Sequence, residues 1–314
     1  MQKTLNLRKE KKLTLGGQAV IEGVMIRSKH YNVVAVRKDN KIITKKDKIK
    51  QRKGKFYKLP VVRGFYNLVD MLALGMRSLM WSAEQQLGEK QEKISKTEMA
   101  FTIIFALGFA IFLFVALPYF FTLFIGFKEE TQPFFFNFID GLIRIGVFLL
   151  YIFAISLLKD VKILFQYHGA EHKAIHCFEH NKELNIKNIK KFSTLHPRCG
   201  TAFIMIVLVV AILTFSILTP AILYLFPSLL NMHVFPRKTI LFLTRIAFIP
   251  LIAGLSYEFL KFSAKYEKNP IMKIFIFPGL LMQKITTKEP SKKQIEVAMA
   301  AVKKLIKLEK QKTI

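Results

Sequence analysis

MAFTIIFALGFAIFLFVALPYFFTLFIGF, residues 99 to 127, contains no charged side chain. A bilayer hydrocarbon core of ~30 Å is crossed by about 20 apolar residues in a helix. The stretch therefore reads as a transmembrane helix, and it sets the class of the whole chain. Three more apolar runs follow. Residues 134 to 158 span although Asp140 and Arg144 lie inside, because a separation of four puts the pair on one helix face, where they neutralise one another. Residues 201 to 231 and 239 to 260 supply the third and fourth spans, interrupted by Pro220, Pro227 and Pro250 and by the ionisable Arg245 and Glu258. The expected fold is a mainly α integral membrane protein with four transmembrane helices, a small N-terminal cytoplasmic β element and amphipathic surface helices.

Charge is segregated from the apolar runs. The 314 residues are 52% hydrophobic yet carry 49 Lys+Arg against 21 Asp+Glu, a net charge of +28. Residues 1 to 98 hold 23 of the basic side chains, 159 to 200 hold 8 and the tail from 261 holds 13, whereas 128 to 133 holds one and 232 to 238 two. Four spans put the three basic segments on one side, and the positive-inside rule makes that side cytoplasmic, with both termini on it, in a cytoplasmic (inner) membrane. No short apolar segment near the start resembles a secretory signal, so the first span is expected to act as the insertion signal. The charge reads first as a face held against a lipid bilayer with anionic headgroups, each basic residue contributing roughly 1 kcal/mol. A protein or RNA partner on that face is the alternative. Two cysteines, both on the reducing side, exclude a disulfide framework.

Within the basic segments, residues 1 to 60 read as a cytoplasmic β element. GGQAVIEGVMIRS (16 to 28) is too apolar for a solvated arm, and NVVAVRKDNKIITKK (32 to 46) places β-branched runs around Asp39-Asn40, a hairpin turn. So few strands need a cover, and the segments 61 to 90 and 159 to 200 are the expected ones. Residues 61 to 98 read as an amphipathic interfacial helix, with a helix of a soluble subdomain as the alternative. The C-terminal part, 261 to 314, combines IMKIFIFPGLLMQ (271 to 283), expected as a re-entrant or interfacial turn at Pro278-Gly279, with a basic amphipathic helix from 291.

Chemistry concentrates in YHGAEHKAIHCFEH, residues 167 to 180, where His168, His172, His176 and His180 recur every four residues. Four residues of helix advance about 40° past a full turn and rise ~6 Å, so one metal ion cannot reach all four rings and only neighbours can chelate. His168-Gly-Ala-Glu171-His172 has the pattern HxxEH, the inverted zinc-protease signature: two ligands one turn apart and a Glu placed as general base. A Zn2+ centre needs a third protein ligand and an open position for water. His196 and Cys199 of HPRC are two sources; Glu258, an intramembrane ionisable residue in need of a partner, is a third. His176 and His180 form a second site only with Cys177 or Glu179, and Cys177 points away from both.

These residues resemble the YqhQ-like proteins of bacteria, a domain-of-unknown-function family labelled a predicted metal-dependent enzyme. The resemblance covers roughly residues 14 to 300 and is carried by GGQAVIEGVMIRS, PVVRG (60 to 64), YHGAEHKAIH, HPRCGTAF (196 to 203), SYEFLKF (256 to 262) and FPGLLMQKITTKEP (277 to 290). It implies one cytoplasmic-face site assembled from distant segments. The leading expectation is a metal-dependent, membrane-embedded hydrolase at the cytoplasmic boundary, with spans at about 99–127, 134–158, 201–231 and 239–260 forming the membrane domain 99–260. In it His168 and His172 bind Zn2+, Glu171 activates water, and His196, Cys199 or Glu258 completes the coordination. Arg198 or Arg63 stabilises developing negative charge. The rival is a non-enzymatic scaffold, assembly factor or insertase-like chaperone whose basic face meets RNA, a ribosome or a protein. A transporter is disfavoured, since four spans show no internal repeat.

Overall fold

The computed structural model describes residues 13–50, 52, 54–87, 96–266 and 269–313; the expected β element's first twelve residues and most of 88–98 lie outside them. Four strands come first: β1 (Gly16–Val20), β2 (Gly23–Arg27), β3 (Tyr31–Lys38) and β4 (Lys41–Lys48). Among the described residues ten α-helices follow: α1 (Val62–Gln86), α2 (Lys96–Ile111), α3 (Leu117–Phe124), α4 (Pro133–Ser156), α5 (Lys159–Glu179), α6 (Ile186–Lys190), α7 (Gly200–Leu225), α8 (Val234–Lys265), α9 (Pro270–Thr286) and α10 (Lys292–Thr313).

The strands form an antiparallel meander in chain order. Asp39 and Asn40 make the β3–β4 turn with φ of 46° and 63°, the left-handed pair that a two-residue hairpin matched to strand twist requires. Successive strand residues face opposite ways, and here both faces are apolar. Val24, Ile26, Val33 and Ala35 face a core shared with α5, α6 and α10. Val20, Met25, Val34 and Val36 face Leu74, Leu79 and Trp81 of α1. Both segments expected to cover the sheet do so, and α10 joins them, burying Ile295, Ala298, Val302 and Leu305 at helical spacing.

Among the described residues four helical stretches are long and apolar enough to cross a membrane: Ile104–Phe124, Pro133–Ser156, Gly200–Leu225 and Val234–Ser263. In the first two only 6% and 11% of the most apolar window is buried within the protein, so their side chains require a lipid surrounding. The first stretch is not one regular helix. A π-helical turn at Phe112–Ala116 joins α2 to α3 just before Pro118, whose ring cannot donate to the preceding turn. Asp140 and Arg144 pair within α4 at 2.8 Å, as their spacing predicts.

Three local expectations change. Residues 271 to 283 do not turn back at Pro278; α9 runs through it, because Gly279 seats that turn closely against Ala202 of α7. Arg237 and Lys238, expected in a connector, lie in the first turns of α8 and bind Glu130 and Glu129, while Arg245 reaches Glu129 at 2.9 Å. Finally, α1 is neither wholly interfacial nor wholly soluble. Its small residues Gly64, Gly75, Ser78 and Ser82 are buried between α8 and the sheet, and Leu72, Met76 and Met80 stay exposed on its outer side.

Candidate metal centre

Helix α5 starts directly after α4, following a break at Leu157–Leu158, and carries YHGAEHKAIH into the junction between sheet and spans. Three segments clamp it there. Gly17 of β1 lies so close that a Cβ would meet Glu171 Oε1 at 2.9 Å. Gly169 meets the Lys288 carbonyl just beyond α9, and Lys288 N–H donates to Phe165 O at 2.9 Å. The loop of residues 193–199 covers the third side. Gln283, fully buried, fixes that loop by accepting from His196 N–H at 2.8 Å and donating to His196 O at 2.9 Å.

This clamp brings His168, His172 and Cys199 together, all buried, with one donor atom from each within 4.8 Å of the others. Three such points share a centre at no more than about 2.8 Å, against the ~2.0–2.3 Å of zinc bonds. His168 Nε2 is 3.2 Å from Cys199 Sγ. Its other nitrogen, Nδ1, donates to Thr286 O at 2.8 Å, and His172 Nδ1 donates to Thr194 O. Each carbonyl fixes a tautomer, leaving the Nε2 lone pairs turned toward one sulfur, as outer partners orient metal-binding imidazoles. Burial holds His172 below its ordinary pKa, so the ring is neutral at pH 7. Cys199 is the N-cap of α7, within 3.1 Å of Thr201 Oγ1.

Glu171 stands beside this set, 3.5 Å from His172 Nε2 and 3% exposed. Burial raises its carboxyl to about 7. A cavity of about 20 Å³ opens among Gly17, Glu171, His172, His196, Arg198 and Cys199, room for roughly one water molecule.

One turn further along α5 a second set gathers: His176, Glu179 and His196, again within 4.8 Å. Here the atoms are engaged. His196 Nε2 donates to Glu179 Oε2 at 3.2 Å, the Arg198 guanidinium takes Oε1, and His176 Nε2 donates to Leu195 O at 2.8 Å. Burial opposes ionisation of Glu179, yet the His196 hydrogen bond and the Arg198 charge hold it below the usual carboxylate range. His180 caps α5 and lies tilted against Phe192, and Cys177 turns into the core.

Two expected site residues lie elsewhere. Glu258 belongs to neither donor set among the described residues; its carboxylate is gripped by both arms of the Arg63 guanidinium, with Nε at 2.6 Å. That mutual pairing is the partner Glu258 needed, and Arg63 does not line the cavity at Glu171. Of the three third-ligand sources, Cys199 joins the His168/His172 set and His196 the other. Sequence reasoning missed the Thr194, Leu195 and Thr286 carbonyls, since backbone acceptors carry no side-chain signature.

Sheet, apolar helices and buried cluster together define a mainly helical, membrane-type protein whose sheet-containing cap holds imidazole, thiol and carboxyl groups just beyond the second long apolar helix. The chain belongs to the family described as "Protein of unknown function (DUF1385)", whose model matches residues 59–308. It is 32% identical over 315 residues to "Uncharacterized protein YqhQ" of Bacillus subtilis (strain 168), a match covering 94% of this chain and 92% of that one. No solved structure matches it.

Proposed function

We propose that the chain is a metal-dependent hydrolase of the cytoplasmic membrane, with Zn2+ held by His168, His172 and Cys199. One observation carries the reading. Two imidazoles, each with its outer nitrogen tied to a carbonyl, turn their other nitrogens toward a single thiol, and one S–H proton cannot satisfy two acceptors. A cation in place of that proton satisfies all three donors, and three protein donors, rather than four, is the number found at catalytic zinc sites. When bound, the ion supplies Lewis acidity.

The remaining work falls to this chain's side chains. Glu171, facing the water-sized cavity, takes a proton from a water held there; burial keeps its carboxyl basic enough for the task. Arg198, at the same cavity and partly exposed, attracts negative charge on a substrate entering from the surface. The basic segments favour an orientation with cap and both termini in the cytoplasm.

Full-length protein purified in detergent is expected to hold about one zinc per chain. His168→Ala, His172→Ala and Cys199→Ser should each lose it, whereas Glu171→Gln should keep it. Metal-free protein of undiminished thermal stability would falsify the metal reading. Salt-sensitive RNA or ribosome binding that ignores all four substitutions would favour the scaffold.

A further inference from the structure

A cavity of about 250 Å³, sharing no lining residue with the cavity at Glu171, lies between the edge strand β4 and helix α1. Lys45, Asp47, Lys48, Leu74, Arg77 and Ser78 line it. The β3–β4 register explains how charge comes to line it: Lys45 and Asp47 lie opposite Val34 and Asn32, so they project on the face that α1 covers. Among the described residues no carboxylate pairs with Lys45, Lys48 or Arg77; Lys45 lies over the Trp81 ring, 5.8 Å from its centroid. Of the lining cations, Lys45 and Arg77 share the α1 face with Asp47, a net charge of +1 there, whereas Lys48 is one residue out of that alternation. Beside it, Asn32 bonds Ser78 through Nδ2, and its buried Oδ1 has no partner.

The second observation is on α1 itself. Leu72, Met76 and Met80 are 65%, 59% and 58% exposed and recur every four residues, an apolar stripe about 100° round the helix from Arg77. A solvated edge strand explains the lysines alone. It does not explain an uncovered apolar stripe running alongside a cationic cavity.

We propose that this cavity takes the headgroup of an anionic phospholipid, with its acyl chains along Leu72, Met76 and Met80. The phosphate meets Lys45 and Arg77, and a headgroup hydroxyl donates to Asp47, which fits a phosphoglycerol better than a choline. Such basic sites beside membrane surfaces recognise anionic lipids. The proposal is independent of the metal centre.

Trp81, the single tryptophan of the chain, packs against this face and reports on it. Full-length protein, delipidated in a neutral detergent, is titrated with short-chain phosphatidylglycerol, short-chain phosphatidylcholine, glycerol phosphate and inorganic phosphate while Trp81 emission is followed. Saturable binding of phosphatidylglycerol is expected, at least tenfold tighter than phosphatidylcholine and than glycerol phosphate. Lys45→Gln with Arg77→Gln should weaken it at least tenfold, and Arg77→Lys should retain most of it; native mass spectrometry of the same variants checks the lipid count. Equal affinity for the two lipids overturns the headgroup assignment. Equal affinity for glycerol phosphate overturns the lipid source in favour of a soluble phosphate, and an RNA oligonucleotide that binds through Arg77 in place of phosphatidylglycerol overturns it too.

Discussion

Helix α5 carries two clusters one turn apart, built from nearly the same residue types, that differ in what their lone pairs do. In the second, Glu179 accepts from both His196 and Arg198, so the anion is neutralised and the ring hydrogen has a destination. In the first, no cation enters: His168 and His172 give their ring hydrogens to carbonyls and aim the remaining nitrogens at one thiol. Buried polar groups are costly unless partnered. The second cluster is complete as it stands, whereas the first leaves two ring nitrogens sharing one thiol. Convergence of His, Cys and Glu is thus a weaker sign of a metal than the hydrogen-bond inventory around it.

The largest expected effect comes from metal removal. An ion that binds only the folded chain stabilises it by about 2.7 kcal/mol at 100 times its dissociation constant. Chelation should therefore lower the melting temperature of the wild type by several degrees and leave His168→Ala unmoved. The Glu179→Gln variant should still respond in full; a response lost in Glu179→Gln and retained in His168→Ala would reverse the assignment of the two clusters.

Glu179→Gln addresses the other half of the contrast and should act without metal. It removes the charge that Arg198 and His196 share, but the Arg198 side chain is 39% exposed and water recovers much of the loss. A destabilisation of about 1 kcal/mol is expected, in the range of partly exposed pairs, with zinc content unchanged. Loss of zinc in this variant would show that the two clusters are one site.

Much of this was legible in the sequence, for reasons that vary by element. Spans declare themselves through uncharged length, and the Asp39-Asn40 turn through residues that tolerate positive φ. HxxEH fixes helical neighbours and a carboxylate in one pattern, so His168, Glu171 and His172 could be placed together before any fold was known. Choosing Cys199 over His196 or Glu258 could not be done that way. The choice rests on Gln283 clamping the His196 backbone and on Arg63 reaching Glu258, contacts across 87 and 195 residues. The continuity of α9 through Pro278 was hidden for the same reason, since Gly279 against Ala202 is a packing fact.

The most localised effect should appear in pH. Burial lowers His176 to about 4, whereas an unfolded chain protonates the same ring near ~6.5. Between those values the unfolded state binds more protons, so stability should fall as pH drops from about 6.5 toward 4 and be level above that window. His176→Gln removes the titrating ring while keeping a donor for Leu195 O, and should flatten part of the slope in chelated protein, read as melting temperature against pH. His168→Ala should leave that part of the slope in place. If both variants flatten it equally, the two clusters titrate as one unit and the contrast between them dissolves.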